Sequence, residues 1–425
     1  MHSDNLKGIG ILNIFSDIEP KARRSLLTLF TAGLLFWSSM ASLLPTLPLY
    51  VQSVGGTKQQ IGFVMGAFAI GLLLSRAQLG KLADSRGRKQ VLLLGASVAA
   101  IAPLGYLLAQ SIPLLLLIRA FHGISIAAFT TAYSALVTDL SPPGKRGELI
   151  GYMSLVSPIG LAFGPAIGGF VQEWVGYTPL FAMSATFAAT AVFFTSKIAE
   201  PNFADLTKSD SLSEAKNSQK YWQMLWNPRV RIPALVLLLV GLIFGTLSTF
   251  LPLFIEETKA NLNAGLFYST AAIASFGMRV VTGRASDKYG RGLFISGGLI
   301  CYILSMLLLY LANNSGAFLI SALVEGCAGG TVVPMMVTLM SDRCEPHERG
   351  RLFSLCIGGF DLGIAIAGPT LGFIAEQVGY RNMFGFAAGL AGLALLIFIT
   401  QSSKGLSNSM KFAIGRGKDV YALNR

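Results

Sequence analysis

Long apolar runs separated by short polar stretches recur from one end of the chain to the other. A helix needs about 20 apolar residues to cross the hydrocarbon core of a bilayer. Runs of that length lie near 26–50, 61–80, 91–109, 114–137, 150–171, 179–197, 232–255, 264–283, 293–312, 316–340, 353–375 and 382–401. They predict an all-α membrane protein with twelve transmembrane helices. Most runs carry internal glycine and several carry proline. That suits membrane helices, where close backbone approach replaces the hydrophobic drive for packing.

The polar stretches set the organisation. Between the sixth and seventh runs, 200–231 is polar, carries Ser and Lys, and reads as a linker. Around Tyr221, Trp222, Leu225 and Trp226 it has the makings of a short surface-lying amphipathic helix; a partly ordered loop is the open alternative. The segment from Ser402 is polar and basic and is expected to be mobile. The division is therefore 1–199, an N-terminal six-helix bundle; 200–231, a cytoplasmic linker; 232–402, a C-terminal six-helix bundle; and 403–425, a cytoplasmic tail. Met1 to Arg24 is polar and charged and lacks the apolar core of a signal peptide, so the first run is expected to stay in the mature chain.

Composition agrees with the pattern. Of 425 residues 53% are hydrophobic and 13% charged, against about 25% charged in soluble proteins. Mean hydropathy is +0.60. The net charge of +12 would suit nucleic acid if it were clustered on one soluble face. Instead it follows the topology. With a cytoplasmic N-terminus, only Lys58, Lys259 and Arg381 fall in loops on the far side, and Arg76, Arg119 and Arg279 lie within spans. The remaining Lys and Arg are cytoplasmic, as the positive-inside rule requires. The expected location is the plasma (inner) membrane with both termini cytoplasmic. The charge is a topology signal that also suits contact with anionic lipid, and nucleic acid is excluded as a partner.

The chain repeats itself. Gly80-Lys-Leu-Ala-Asp84-Ser-Arg-Gly87-Arg88 follows the second run, and Gly283-Arg-Ala-Ser-Asp287-Lys-Tyr-Gly290-Arg291 follows the eighth. The offset of 203 also maps Arg76 to Arg279, Gly123 to Gly326, Arg146-Gly147 to Arg349-Gly350, and Val175-Gly176-Tyr177 to Val378-Gly379-Tyr380. The halves are parallel repeats, expected to be related by an axis along the membrane normal with a solute path between them. Within the loop, Gly87 permits a tight turn and Gly80 allows close helix approach. Asp84 can accept hydrogen bonds at a helix N-terminus, and Arg88 and Lys89 form a charge cluster.

With these residues the sequence resembles the major facilitator superfamily over essentially its whole length. The family loop pattern is Gly-x-Leu-Ala-Asp-Arg-x-Gly-Arg-Lys; Ser85 stands where Arg is usual. The resemblance implies two pseudo-symmetric six-helix bundles and a monomer. It also implies that Asp84 docks on the start of the eleventh helix near Arg349 to Arg351, and Asp287 on the start of the fifth near Arg146. These contacts would hold the outward-facing state and break on opening inward. The fifth run holds Gly160-x-x-x-Gly164-Pro165-x-x-Gly168-Gly169, which resembles the fifth-helix motif of the drug/proton antiporter branch, associated with export. Gly368-Pro369 and Gly372 echo it weakly in the eleventh. Leu44-Pro45-x-Leu47-Pro48-x-Tyr50 in the first run also resembles that branch, although this run has no internal acid, which weakens a claim of cationic substrates.

Charges inside a bilayer ask for a partner or a role. Arg119 and His122 share one helix face and resemble the family's fourth-helix Arg-x-x-Gln-Gly, with His in place of Gln. The resemblance implies that Arg119 controls protonation or binds substrate; a structural Arg satisfied by carbonyls is the alternative. Glu325, the repeat partner of His122, and Asp361 are the acids well inside spans. A carboxyl in a low-dielectric cavity can take up a proton on one side and release it on the other. One of the two is the expected proton carrier; a permanent pair with an intramembrane Arg is the alternative. Arg76 and Arg279 lie about two turns from the basic ends of their helices, within snorkelling reach of headgroups. Phe36, Trp37, Tyr133, Phe163 and Phe250 are candidates to line an apolar cavity.

Cys301, Cys327, Cys344 and Cys356 have no metal-ligand spacing and read as packing residues. No phosphate-binding Gly-x-x-x-x-Gly-Lys-Ser/Thr segment occurs, so an ion or solute gradient is the expected energy source. No metal, cofactor or catalytic constellation is expected, and the chain is not expected to be an enzyme. The function that follows is secondary transport of a small-molecule substrate, with proton-coupled efflux of amphipathic molecules first. Uptake of a sugar, organic acid or other metabolite comes next, and a non-transporting membrane receptor is a remote third.

Overall fold

A computed structural model describes residues 18–142, 145–199, 225–345 and 349–423. The apolar runs are helices: α1 (Pro20–Ser42), α2 (Leu47–Ser53), α3 (Lys58–Arg86), α4 (Arg88–Leu108), α5 (Ile112–Leu140), α6 (Arg146–Met153), α7 (Val156–Val175), α8 (Tyr177–Ser196), α9 (Pro228–Glu257), α10 (Ala264–Tyr289), α11 (Arg291–Leu311), α12 (Ser315–Asp342), α13 (Arg349–Gln401) and α14 (Leu406–Ala413). α1 with α2, and α6 with α7, each form one crossing.

Eleven stretches of the described residues are long and apolar enough to cross a membrane. The last, Leu352–Gln401, has 50 residues, about 75 Å of helix at 1.5 Å per residue. That is more than twice a bilayer core of about 30 Å. It breaks at Gly379, whose φ of 81° and ψ of 165° are not helical. The eleventh and twelfth spans therefore lie either side of Gly379, and the chain has twelve crossings. Gly176 makes the matching joint between α7 and α8 with φ 88°. Gly87 and Gly290 join α3 to α4 and α10 to α11 with φ 104° and 89°. All four occupy the left-handed region that glycine alone enters freely, and they pair at the 203 offset.

The helices pack as two six-helix bundles. In the first, α1 lies on α7 and α8, α3 on α5, and α4 on α5 and α8. In the second, α9 and α11 lie on α13, and α10 and α11 on α12. The bundles meet along two seams, α3 against the eleventh span and α7 against α10. Large apolar side chains such as Leu74, Leu108, Leu117, Leu311 and Leu396 are exposed on the outside. Such a surface is stable against lipid tails, which is how a multi-pass membrane protein presents itself.

Two departures from expectation concern the ends of the bundles. The tail beyond Ser402 is folded rather than loose. Arg343, fully buried at the end of α12, donates from Nε and Nη2 to the two carboxylate oxygens of Asp419 at 2.6 and 3.0 Å. It also donates to the carbonyls of Ser402 and Arg229, and Tyr421 lies 5.1 Å over its guanidinium. One cation thus ties α12, the end of the twelfth span, the entry to α9 and the tail together. The sequence of the tail gives no long apolar run; its order comes from this charged hub together with Phe412 and Ala413 of α14, which are buried in the core against Phe398 and Gly292. Of the residues proposed for a surface helix, Tyr221 and Trp222 lie outside the described residues; Leu225 and Trp226 form a turn before α9.

Candidate functional site

The loops rich in Lys and Arg, after α3 and α10, define a basic face; the ends of α2, α7 and α9 define the opposite face. At the opposite face the seams are shut. A methyl built on Gly62 of α3 would collide with the Gly368 carbonyl, and one on Gly368 with that of Gly62. Gly265 of α10 comes as close to the Pro165 carbonyl, and Gly66 approaches the Ala365 carbonyl less tightly, at 2.8 Å from a methyl built there. Polar pairs reinforce this closure: Lys58–Glu257 at 3.6 Å, the Gln59 amide donating to Glu376 at 3.1 Å, and Asn263 Nδ2 donating to Glu173 at 2.7 Å. Leu43, Leu47, Ile61, Met65 and Phe181 of the first bundle belong to the same buried apolar cluster as the second bundle. The basic-side half of the first bundle has a separate core around Phe36, Phe129 and Leu136.

Toward the basic face the same helices part. Methyls built on Gly80 and Gly283, or on Gly147, Gly151, Gly277 and Gly358, would meet no atom within 4 Å. Gly80 therefore makes no close helix contact in this conformation. Asp84 and Asp287 are exposed and bound within their own bundles. Arg88 pairs with Asp84 at 3.9 Å and with Asp139 at 2.6 Å. Arg291 pairs with Asp287 at 2.9 Å and with Asp342 at 2.5 Å. The two clusters match at the 203 offset, which also relates Asp139 to Asp342. Neither of those aspartates was singled out in the sequence, although the repeat would have found them. The side chains of 349–351 lie outside the described residues, so the expected dock for Asp84 is not visible.

Between the faces, Arg76 and Asp361 meet. Arg76 Nη1 on α3 lies 3.0 Å from Asp361 Oδ2 on the eleventh span, with the carboxyl side chain 10% exposed. Arg76 turns into the protein rather than out toward headgroups, because a buried carboxylate is a better partner than lipid for its charge. Its repeat partner Arg279 is exposed on α10 and enters no ion pair recorded among the described residues. Arg119 and His122 lie together inside the first bundle. Arg119 sits 4.3 Å over the Phe68 ring, and its buried Nε has no hydrogen-bond partner. His122 is fully buried, with Nδ1 2.9 Å from the Tyr106 hydroxyl and Nε2 without a partner. Glu325 is buried at the equivalent place in the second bundle, in the electrostatic neighbourhood of Tyr268 and Tyr302. The structure thus puts Asp361 at a seam and Glu325 within one bundle; the two are not brought together.

The fifth-span glycines serve two neighbours. Gly160, Gly164 and Gly168 lie flat on α1, against Trp37, Ala41 and Ser42. Gly169 and the Pro165 carbonyl instead face Asn263 and Gly265 across the seam. Of the aromatic candidates for a cavity, Phe36 is buried and stacked 3.8 Å from Phe129, Tyr133 donates to the Met153 carbonyl, and Phe250 is buried. They are packing residues, Trp37 is half-buried on Gly160, and Phe163 is exposed. A cavity of about 520 Å³ opens at the opposite face, with Gln52, Glu173, Tyr177, Glu256 and Asn263 in its lining. An apolar groove of about 360 Å³ runs between Leu74 and Leu362 at the outer edge of the α3 seam.

Comparison with known proteins agrees with this architecture. The family model described as Major Facilitator Superfamily matches residues 29–296 and 264–412. The Multidrug resistance protein MdtG of Salmonella schwarzengrund (strain CVM19633) is 26% identical over 387 residues, covering 88% of this chain and 94% of that protein. MdtG of Proteus mirabilis (strain HI4320) is 27% identical over 366 residues, covering 83% and 90%. Among solved structures, the nucleoside transporter NupG superposes with a TM-score of 0.77 at 15% identity, covering 89% of this chain and 98% of that one; this likeness is one of fold.

Proposed function

Because the chain belongs to the major facilitator superfamily and is a secondary transporter, we propose that it is a proton-coupled exporter of small amphipathic molecules, working by alternating access. The basic face is cytoplasmic by the positive-inside rule, which puts both termini, the linker 200–231 and the tail 403–425 in the cytoplasm of a plasma (inner) membrane protein. In that frame the bundles 1–199 and 232–402 are closed outside and parted inside, an inward-facing conformation. The exposed Asp84 and Asp287 are then the inward-facing state of two switch loops, Gly80–Arg88 and Gly283–Arg291, that dock when the cytoplasmic side closes. The protein acts as a monomer with lipid around it.

The observation that carries proton coupling is Asp361: a nearly buried carboxyl where the bundles meet, facing a cation of the other bundle. Ionised, it pairs with Arg76; protonated, it does not. Asp361 is better placed than Glu325 to feel both halves, while Arg119 and His122 sit in the wall of the first bundle. Export is favoured by the Gly160–Gly169 arrangement and by the multidrug resistance names of the relatives.

The test is reconstitution into vesicles with an imposed pH gradient and a panel of amphipathic dyes and metabolites. Substrate movement opposite to the proton supports antiport. Co-directional movement makes the protein an uptake symporter, and no movement across a broad panel favours a receptor. Asp361→Asn should abolish proton-driven flux; retained coupling removes Asp361 as the carrier and leaves Glu325.

A further inference from the structure

We propose that Arg76 is a positioning residue: its pair with Asp361 converts the protonation of that carboxyl into movement of one seam, a device the other seam lacks. The inference rests on Asp361 carrying the proton. It starts from where the pair lies. On the outer side of it α3 and the eleventh span touch backbone to backbone at Gly62–Gly368 and Gly66–Ala365. On its cytoplasmic side Gly80 and Gly358 have open space. Arg76 and Asp361 therefore meet at the apex of the opening, where a small change in separation becomes a larger one at the cytoplasmic rim.

The pair is also isolated. Among the described residues two ion pairs join the bundles, this one and Lys58–Glu257 at the outer rim. Helix α9, packed on the other side of the eleventh span, presents the backbones of Ala234 and Leu238 to Gly359 and Gly363, and Phe244 to Phe360. None of these is ionisable. Arg76 is the charged group that faces Asp361, so loss of the carboxylate charge leaves a half-buried guanidinium, 32% exposed, without its partner. A half-exposed guanidinium that has lost its partner is better solvated than held at the seam, and Arg76 then turns toward the water of the opening.

The asymmetry is written in the repeat. The offset that turns Arg76 into Arg279 turns Asp361 back into Pro158. The α7–α10 seam has the cation but not the acid. A proton therefore acts on one seam, and the bundles are expected to rotate about the other.

The experiment places spin labels at Lys81 and Ser354, near the cytoplasmic ends of α3 and the eleventh span, in the full chain in lipid nanodiscs. The inter-label distance is read in alkaline and acidic buffer. The parent is expected to change distance between the two. Arg76→Gln should lose most of that response, Arg76→Lys should keep it, and Asp361→Asn should hold the acid distance in both buffers. The exchange Arg76→Asp with Asp361→Arg keeps a pair in place and checks that loss of response is not misfolding. An Arg76→Gln protein that responds like the parent overturns the role of Arg76. If Asp361→Asn also responds like the parent and retains proton-driven flux, the carrier assignment itself has failed. If Asp361→Asn loses that flux while Arg76→Gln responds normally, the Arg76 inference alone has failed.

Discussion

Replacing Gly62 by Ala should push the protein out of its present conformation, the inward-facing one in the proposed orientation. In the present conformation the added methyl carbon would lie 2.5 Å from the Gly368 carbonyl carbon and 3.3 Å from its Cα. Comfortable carbon contacts are about 3.5–4.0 Å. The atoms in the way are backbone, so no side chain can swing aside and the helices must separate by about 1 Å. Overpacking of this kind costs about 1–3 kcal/mol. The cost falls on the outside-closed state and is relieved when α3 and the eleventh span part. A bias of about 2 kcal/mol changes the ratio of states roughly 30-fold. Gly80→Ala is the opposite control: its methyl meets nothing within 4 Å here, so any cost falls on the cytoplasm-closed state. Spin labels at Gln52 and Gln377, both exposed at the outer face, would report the outer separation in a background without the four free cysteines. Gly62→Ala should raise the long-distance population and Gly80→Ala should not. A folded, monodisperse Gly62→Ala protein with the parent's distance distribution would refute the reasoning, as would a shift of both variants in the same direction.

Other consequences follow from single contacts. Asp419→Ala strands the fully buried Arg343 charge and should cost about 3–5 kcal/mol, read as a lower thermal midpoint in detergent; an unchanged midpoint would mean the tail hub contributes nothing. Gly87→Ala and Gly290→Ala place a side chain at φ 104° and 89° and should each cost about 1–2 kcal/mol, visible as reduced folded yield, whereas Gly147→Ala, in a helix with open space around it, should be tolerated. Tyr106→Phe removes the hydroxyl that meets His122 Nδ1 in a fully buried place and should cost about 1–3 kcal/mol; equal thermal midpoints for Phe and Tyr would show that the imidazole finds another partner.

The parts of the fold that depend on one stretch of chain at a time were legible. Twelve apolar runs became twelve crossings, and Gly379 ended the eleventh where the repeat of Gly176 said a joint should be. Parts that depend on which distant residues meet were not. Nothing along the chain brings Arg76 to Asp361, 285 positions away, and the plausible local fate of such an arginine was a headgroup. The tail was misjudged for a related reason: its composition is that of a loose end, and what orders it lies on other helices, Arg343 at the end of α12 and the apolar surface around Phe398 that buries Phe412. Aromatic side chains in the spans carry no mark of which way they face, and Phe36, Tyr133 and Phe250 turned out to be packing. The conformational state was unreadable in principle, because one sequence must encode both the inward- and the outward-facing arrangement.

The repeat separates what the two halves share from what distinguishes them. Where the offset of 203 preserves a constellation, it is present twice and serves both halves alike: Arg88 with Asp84 and Asp139, Arg291 with Asp287 and Asp342, and the glycine joints. A perfectly duplicated transporter would have two equivalent seams and no physical reason for a proton to move one before the other. The offset fails at three places that matter: Asp361 against Pro158, Glu325 against His122, and Arg343 against Leu140. The first gives one seam an acid–base pair. The second gives one bundle a buried carboxyl and the other a buried imidazole beside an arginine. The third gives the C-terminal bundle a hub that binds the tail to the basic-side end of α12. On the proposed mechanism, the residues that break the symmetry are where a difference between the two seams is to be sought.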